Sequence, residues 1–276
     1  ALPICTRCGF ELAAKELGVK TVCVFTSEIK AHAIKSLLQN HPGEKIHGDI
    51  TQIDAKTIPD FDFLLGGFPC QAFSIAGLRK GFTDTRGTLF FDIEQIIERH
   101  RPRAVLLENV KNLLTHDKGK TFQTIYSILT EKLGYYVYYQ VLNSMTHANI
   151  PQNRERIFIV AFDPKHVPAY LDFTFPEPIP LTRTIQDVLE TGKVPDKYYY
   201  PDDHLYADKL SVVNRRDTVY QIRRVYIREN KSQVCPTLTA NMGQGGHNVP
   251  IIRDDYGIRK LTPKESFAFQ GYPVDK

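Results

Sequence analysis

The feature that most constrains this chain is an alternation between Val22 and Phe162, in which short, almost wholly apolar runs trade places with longer segments of helical period. The apolar runs are Val22-Cys-Val-Phe25, Phe61-Asp-Phe-Leu-Leu65, Arg103-Ala-Val-Leu-Leu107, 135–141 and 156–162. Between the first two, residues 28–38 place Ile29, Ala33, Ile34 and Leu37 or Leu38 on one side of a helix; 89–97 and 122–133 also read as helices. A strand that is apolar on consecutive residues is covered on both faces. When helices separate such strands, the economical arrangement is a parallel sheet between helical layers. The expected fold class is therefore α/β, a doubly wound and mostly parallel sheet. The pattern changes after Phe162, where Pro164, Pro168, Pro176, Pro178 and Pro180 mark a linker. Residues 181–250 are rich in Tyr, Arg and turn formers and read as a smaller, irregular, β-rich domain. Near the end, Thr262-Pro-Lys-Glu265 is a capping box with proline at the first helical position, and Gly271-Tyr-Pro273 stops the helix. The expected division is a first domain over 1–163, a second over 164–250, and a return segment over 251–276.

The 276 residues suffice for one full α/β domain and an appendage. A net charge of +4 permits a nucleic-acid partner without demanding one. No run is long and apolar enough for a membrane span, and nothing reads as a signal peptide. Five cysteines, odd in number and irregularly spaced, do not form a disulfide framework, which points to a reducing cytoplasm. Cys5-x-x-Cys8 has the spacing of a metal or redox pair. No second pair follows it, so two unrelated thiols and no metal site are expected.

Three segments carry candidate chemistry. Gly66-Gly67-Phe68-Pro69-Cys70-Gln71 follows a buried strand directly, and in open α/β sheets ligands bind beyond the carboxyl ends of strands. Pro69 fixes its own φ and restrains Phe68, so the backbone that presents the Cys70 thiol is stiff. Leu106-Leu-Glu108-Asn109-Val110 puts a carboxylate at the end of the next apolar strand. In a parallel sheet Cys70 and Glu108 open into one crevice; a solvated strand-end Glu is the plainer alternative. Ile150-Pro-Gln-Asn-Arg154-Glu-Arg156 flanks a glutamate with two arginines, either a solvated charge run or guanidiniums aimed at a carbonyl or phosphate.

Taken in order, Gly67-Phe-Pro-Cys-Gln-Ala-Phe-Ser74, Asp84-Thr-Arg-Gly-Thr-Leu-Phe-Phe91, Glu108-Asn-Val110 and Gln152-Asn-Arg-Glu-Arg156 resemble the motif series of the cytosine-C5 DNA methyltransferases. The likeness runs from about Gly9 to Pro273. Between Gly48 and Lys111 it is closest to the small bacterial restriction-modification enzymes. The resemblance implies a fold of the S-adenosylmethionine-dependent methyltransferase type and transfer of a methyl group to C5 of a flipped-out cytosine in a specific duplex DNA sequence. It implies Cys70 as the nucleophile, Glu108 as the group at N3 of the base, and Arg154 and Arg156 as orienting arginines, Arg156 mainly structural. S-Adenosylmethionine is the implied cofactor. Glu28 falls where the family holds the ribose hydroxyls and Asp49, with Ile50, where it meets the adenine; Gly9, Phe10 and Pro69 complete that set. Phe68, Gln71, Ser74, Asn109, Thr237 and Thr239 fall on the substrate side. Residues 72–88, with three glycines and Arg79, Lys80 and Arg86, read as a lid or as an ordinary basic loop.

The chain departs from the family's pattern in two places. The first cofactor loop, expected as aromatic-x-Gly-x-Gly-Gly-Phe, is Ile4-Cys-Thr-Arg-Cys-Gly9-Phe10 here, so Thr6 and Cys8 carry side chains where glycines are expected, and Arg7 between them adds a charge. A Gly-Asn-Ser-Val segment expected after Pro273 is not in the sequence. The alternative reading is therefore a DNA-binding remnant, or a subunit whose cofactor site is completed by a second polypeptide. In the candidate DNA-reading domain Arg215, Arg216, Arg223, Arg224 and Arg228 interleave with Tyr220 and Tyr226. Such groups suit phosphates and base edges, or the solvated face of a β-ribbon.

Overall fold

The computed structural model describes residues 4–69, 89–204, 207–223, 225–239, 242 and 248–274. Two compact units emerge, one from Ala1–Val141 with Arg156–Phe175, the other from Leu142–Glu155 with Pro176–Lys276. This division differs from a single break at residue 163. Residues 142–155 group with the second unit because β6 (Gln152–Asn153) pairs with β10 (Cys235–Pro236). Residues 251–276 are part of that unit's own sheet and core rather than a separate return segment.

The first unit holds α1 (Ile4–Glu16), β1 (Thr26–Ser27), α2 (Ala31–Asn40), β2 (Ile46–His47), β3 (Phe63–Gly67), α3 (Leu89–His100), β4 (Ala104–Val110), α4 (Lys120–Ser127), β5 (Tyr136–Asn143) and β7 (Glu155–Phe162). β1 and β2 pair in parallel, and a four-stranded sheet runs β3-β4-β7-β5. β3 and β4 are parallel, with Phe63 opposite Ala104 and Gly67 opposite Glu108; β7 is antiparallel to β4. The core lies where this sheet meets its helices. Phe90, Ile93 and Ile97 of α3 recur at helical spacing and bury one stripe against Val105 and Leu107 of β4. Gly66 is required there, because a Cβ on it would stand 2.8 Å from Leu107 Cδ2. The helix expected over 122–133 is α4 followed by a π-helical turn at Ile128–Lys132, and Gly134 in the left-handed region ends it.

Two expectations near the amino terminus are corrected. The apolar run 22–25 is no strand; only Thr26–Ser27 pairs, and Val22 and Val24 are exposed. A strand needs a neighbour to take its backbone groups, and among the described residues none flanks 20–25. Gly9 and Phe10 lie not in a loop but inside α1. Thr6 and Cys8 in place of permissive glycines favour helix, and the Arg7–Glu11 pair at 2.7 Å adds i,i+4 support.

In the second unit an antiparallel sheet runs β12-β11-β8-β9, from β8 (Tyr220–Ile222), β9 (Ile227–Glu229), β11 (Pro250–Arg253) and β12 (Ile258–Lys260). Leu210, Val213, Tyr220, Ile222 and Ile251 form one small core; Ile185, Val219, Cys235, Ile252 and Phe269 form another. The final helix, Pro263–Ala268, has the expected capping box. Its Glu265 is wholly buried and takes both outer nitrogens of Arg259, at 2.7 and 2.8 Å, while Arg259 Nε reaches Asp254 at 2.6 Å. Burial works against the Arg259 cation, but these carboxylates outweigh it and hold its pKa above the ordinary value.

Candidate active site

Cys70, Gln71 and Ser74 lie outside the described residues, as do the residues of the proposed lid. The approach to Cys70 is described and is tightly held. β3 and β4 run side by side in register, so the chain leaves β3 at Gly67 beside Glu108 at the carboxyl end of β4. Asn109, the next residue, is buried, and its Nδ2 donates to the Phe68 carbonyl at 2.8 Å while its Oδ1 accepts from the Val110 N–H at 2.8 Å. Phe68 is buried with its ring centroid 5.5 Å from that of Phe90. Both residues were expected on the substrate side. In this structure the Asn109 amide and the Phe68–Phe90 contact hold the segment that ends at the exposed Pro69.

Glu108 is mostly shielded from solvent, and Arg156 Nε meets its Oε1 at 2.8 Å. The antiparallel ladder explains the pair: Arg156 stands opposite Val110, two residues past Glu108, so both side chains leave the same face. This contact was not legible in the sequence, because it depends on β7 running antiparallel to β4, and the apolar pattern does not report strand direction.

Arg154 belongs to the second unit. There the segment Pro151–Arg154 lies along Cys235–Leu238: the Cys235 N–H donates to the Pro151 carbonyl at 2.7 Å, Thr237 Oγ1 to the Asn153 carbonyl at 2.6 Å, and Arg154 to the Leu238 carbonyl at 3.4 Å. Gln152 is fully buried and donates to the Phe269 carbonyl at 2.9 Å. Thr239 is exposed at the end of the same run. Thr237 thus braces the arginine segment, and Gln152 ties it to the final helix, a role that sequence reasoning missed because its partner is 117 positions away.

On the cofactor side, a cavity of about 630 Å³ is lined by Phe10, residues 19–27, Ile50, Phe63–Gly67 and α3 residues. Phe10 stacks on Phe63 with centroids 4.6 Å apart. Glu28, next to the lining residue Ser27, is buried, and its Oε1 accepts the N–H groups of Ile29 and Lys30 at 2.8 and 2.9 Å. Asp49, exposed, caps the turn that begins at Ile50 by accepting from the Thr51 N–H. Asp49 also faces Asp92 of α3, whose carboxyl burial and the Asp49 charge push above its usual range. Gly9 has open space where a Cβ would stand. Arg7 is buried, with Glu11 and Glu44 each at 2.7 Å, so its charge is matched rather than bare. Among the described residues no cluster of His, Cys, Asp and Glu could hold a metal ion, and no helix is long and apolar enough to cross a membrane.

Comparison with known proteins gives a consistent result. The model of the C-5 cytosine-specific DNA methylase family matches residues 5–275. The type II methyltransferase M.Bsp6I of Bacillus sp. (strain RFL6) is 48% identical over 271 residues, 97% of this chain and 85% of that protein. M.HpaII of Haemophilus parainfluenzae is 40% identical over 291 residues, 96% of this chain and 77% of that protein. Among solved structures, S. pombe Dnmt2 methyltransferase aligns with a TM-score of 0.67 at 19% identity, over 96% of this chain and 84% of that one; this likeness speaks for the fold alone.

Proposed function

Because this chain belongs to the C-5 cytosine-specific DNA methylase family, we propose that it methylates C5 of a flipped-out cytosine in a specific duplex DNA sequence, with Cys70 as nucleophile and S-adenosylmethionine as methyl donor. The observation that carries the reading is the Phe68–Pro69 segment. It is clamped by Asn109 and continues directly from Gly67, which stands opposite Glu108 in the β3–β4 register.

The chemistry follows from the base. C5 of cytosine is a weak nucleophile. Addition of the Cys70 thiolate to C6 forms an S–C6 bond and turns C5 into an enamine carbon that can attack an electrophile. Glu108 hydrogen-bonds at N3 and keeps negative charge from accumulating on the ring, while Arg156 holds the Glu108 carboxyl in place. S-Adenosylmethionine supplies an electrophilic methyl group when bound. Once the methyl group is on C5 and the donor has left as its neutral thioether, loss of the C5 proton to solvent and departure of the Cys70 thiolate restore the 5,6 double bond. Arg154, braced on Leu238, orients the base. The base reaches these groups only outside the helix stack, at a cost of roughly a few kcal/mol.

Phe10 and Ile50 line the cavity, Glu28 and Asp49 follow and precede its lining residues Ser27 and Ile50, and together they offer groups suited to a nucleoside. The buried Glu28 carboxyl suits vicinal hydroxyls, Asp49 suits an amino group, and Ile50 and Phe10 offer apolar walls.

The test is transfer of a labelled methyl group from S-adenosylmethionine to mixed-sequence duplex DNA, followed by base analysis. Label in 5-methylcytosine is expected, and its loss in Cys70→Ala with an unchanged melting curve. Label in another base, or full transfer by Cys70→Ala, would refute the assignment.

A further inference from the structure

The five arginines between 215 and 228 are not equivalent once their neighbours are known. Arg215 donates to Asp217 at 2.9 and 2.6 Å and to Glu229 at 3.2 Å, and Arg216 pairs with Asp255, so the charge of each is cancelled within the unit. Arg224 lies outside the described residues. Tyr220 is buried in a core and meets no ligand. What remains is the β8–β9 hairpin.

This hairpin has an unusual arginine. Arg223 donates through one outer nitrogen to Asn248 Oδ1 at 2.5 Å and through the other to Gln221 Oε1 at 3.0 Å. Both acceptors are neutral amides, and no carboxylate among the described residues pairs with it. The guanidinium is therefore fixed in direction yet keeps its full charge. Of its five N–H donors, three have no acceptor among the described residues, and the side chain is only partly buried. The Arg223 N–H closes the turn on the Tyr226 carbonyl at 2.8 Å, which stiffens the tip. Beyond it, Val225 is 77% and Tyr226 57% exposed. Arg228 stands directly across from Gln221, exposed and without a partner among the described residues. Because side chains alternate along a strand, Gln221, Arg223 and Arg228 share one face. The opposite face buries Tyr220 and Ile222.

We infer that the β8–β9 hairpin is the sequence-reading element of this protein, with Arg223 the specificity-determining residue for a guanine in the major groove and Arg228 a phosphate contact. The inference rests on the duplex DNA reading proposed above. A braced arginine fork matches the O6 and N7 acceptors of guanine, the commonest specific contact to a base edge. An unbraced exposed arginine suits the backbone, where position matters less than charge. Val225 and Tyr226 at the tip offer apolar surface to thymine methyl groups and sugar edges. Gln221 and Asn248 are positioning residues that act through Arg223.

The test uses the 276-residue chain on a randomised duplex library, with sequencing of the bound fraction and salt titration of binding to a selected duplex. The unaltered chain is expected to enrich a guanine at one position. Arg223→Ala should lose about 5- to 150-fold of the preference at that position only. Arg223→Lys keeps the charge but not the fork, and should retain affinity and salt dependence while losing the same preference. Arg228→Ala should weaken all sequences alike and reduce the salt slope by about 0.9. Binding that persists with an unchanged base preference in both folded Arg223 variants would overturn the inference alone. No binding of any duplex by the unaltered chain would instead overturn the duplex reading beneath it, and the inference with it.

Discussion

Replacing Arg259 by methionine tests how the antiparallel sheet of the second unit is held. Arg259 is fully buried, and its three nitrogens satisfy Glu265 and Asp254. In Arg259→Met the volume is nearly kept, but Glu265, itself wholly buried, loses both guanidinium donors. It retains the N–H groups of Thr262 at 2.8 Å and Glu190 at 2.9 Å, so it stays hydrogen-bonded while its charge is left uncompensated. Breaking a buried pair in this way costs about 3–5 kcal/mol. For a cooperative unit of roughly 100 residues, at roughly 4 °C per kcal/mol, the second unit should melt roughly 12–20 °C lower. Near-ultraviolet circular dichroism reads this directly, because Tyr199 bonds Asp254 at 2.9 Å and Tyr220 sits in the adjoining core. Adding Glu265→Gln removes the buried charge but sets an amide NH2 against the backbone N–H of Thr262 or Glu190, so it should restore only part of the loss. A drop below about 3 °C, or a double variant no better than the single one, would show that this network does not hold the sheet. The consequence for function is indirect but specific. β12 pairs β11, β11 pairs β8, and β8 carries Arg223 into the hairpin.

Further outcomes follow from the first unit. Asn109→Leu keeps the shape but leaves the buried Phe68 carbonyl without a donor. It should cost about 1–3 kcal/mol by chemical denaturation and lower methyl transfer far more than duplex binding; equal losses in both would deny Asn109 its positioning role. Gly66→Ala pushes a methyl group against Leu107 and should cost about 1–3 kcal/mol, so a neutral urea midpoint would refute the close approach. Asp163 is buried; burial pushes its carboxyl upward, but the Lys165 N–H and Arg101 outweigh it and hold its pKa below the usual range. Such a group adds stability above the unfolded carboxylate pKa of about 3.9 and loses it as the pH falls through the lower folded value. The urea midpoint should therefore fall on acidification below about pH 4, less steeply in Asp163→Asn, and identical pH profiles would count against it. Burial also pushes the Cys235 thiol well up, so a thiol reagent should label exposed Cys23 in the folded protein and Cys235 only on unfolding.

Much of this molecule is written in local pattern. The runs around Phe63–Leu65 and Val105–Leu107 are strands because consecutive apolar side chains need cover on both faces, and the stripe through Phe90, Ile93 and Ile97 forms a helix because that spacing makes one buried side. The capping box at Thr262 formed as read, since its partners lie within one turn. The motif order around Cys70, Glu108 and Arg154 was equally plain, being a matter of residue identity along the chain. Other features depended on what lies across space. Val22–Phe25 has the composition of a strand, yet it pairs with nothing, because pairing belongs to two segments and not to one. Asn109 became a clamp and Arg156 a partner of Glu108 only through the register of β3, β4 and β7. The arginines from 215 to 228 look alike in one dimension. Whether each meets a carboxylate, an amide or open solvent is fixed by strand alternation and by neighbours as distant as Asn248 and Asp255, and that difference separates structural charges from a candidate reader of DNA.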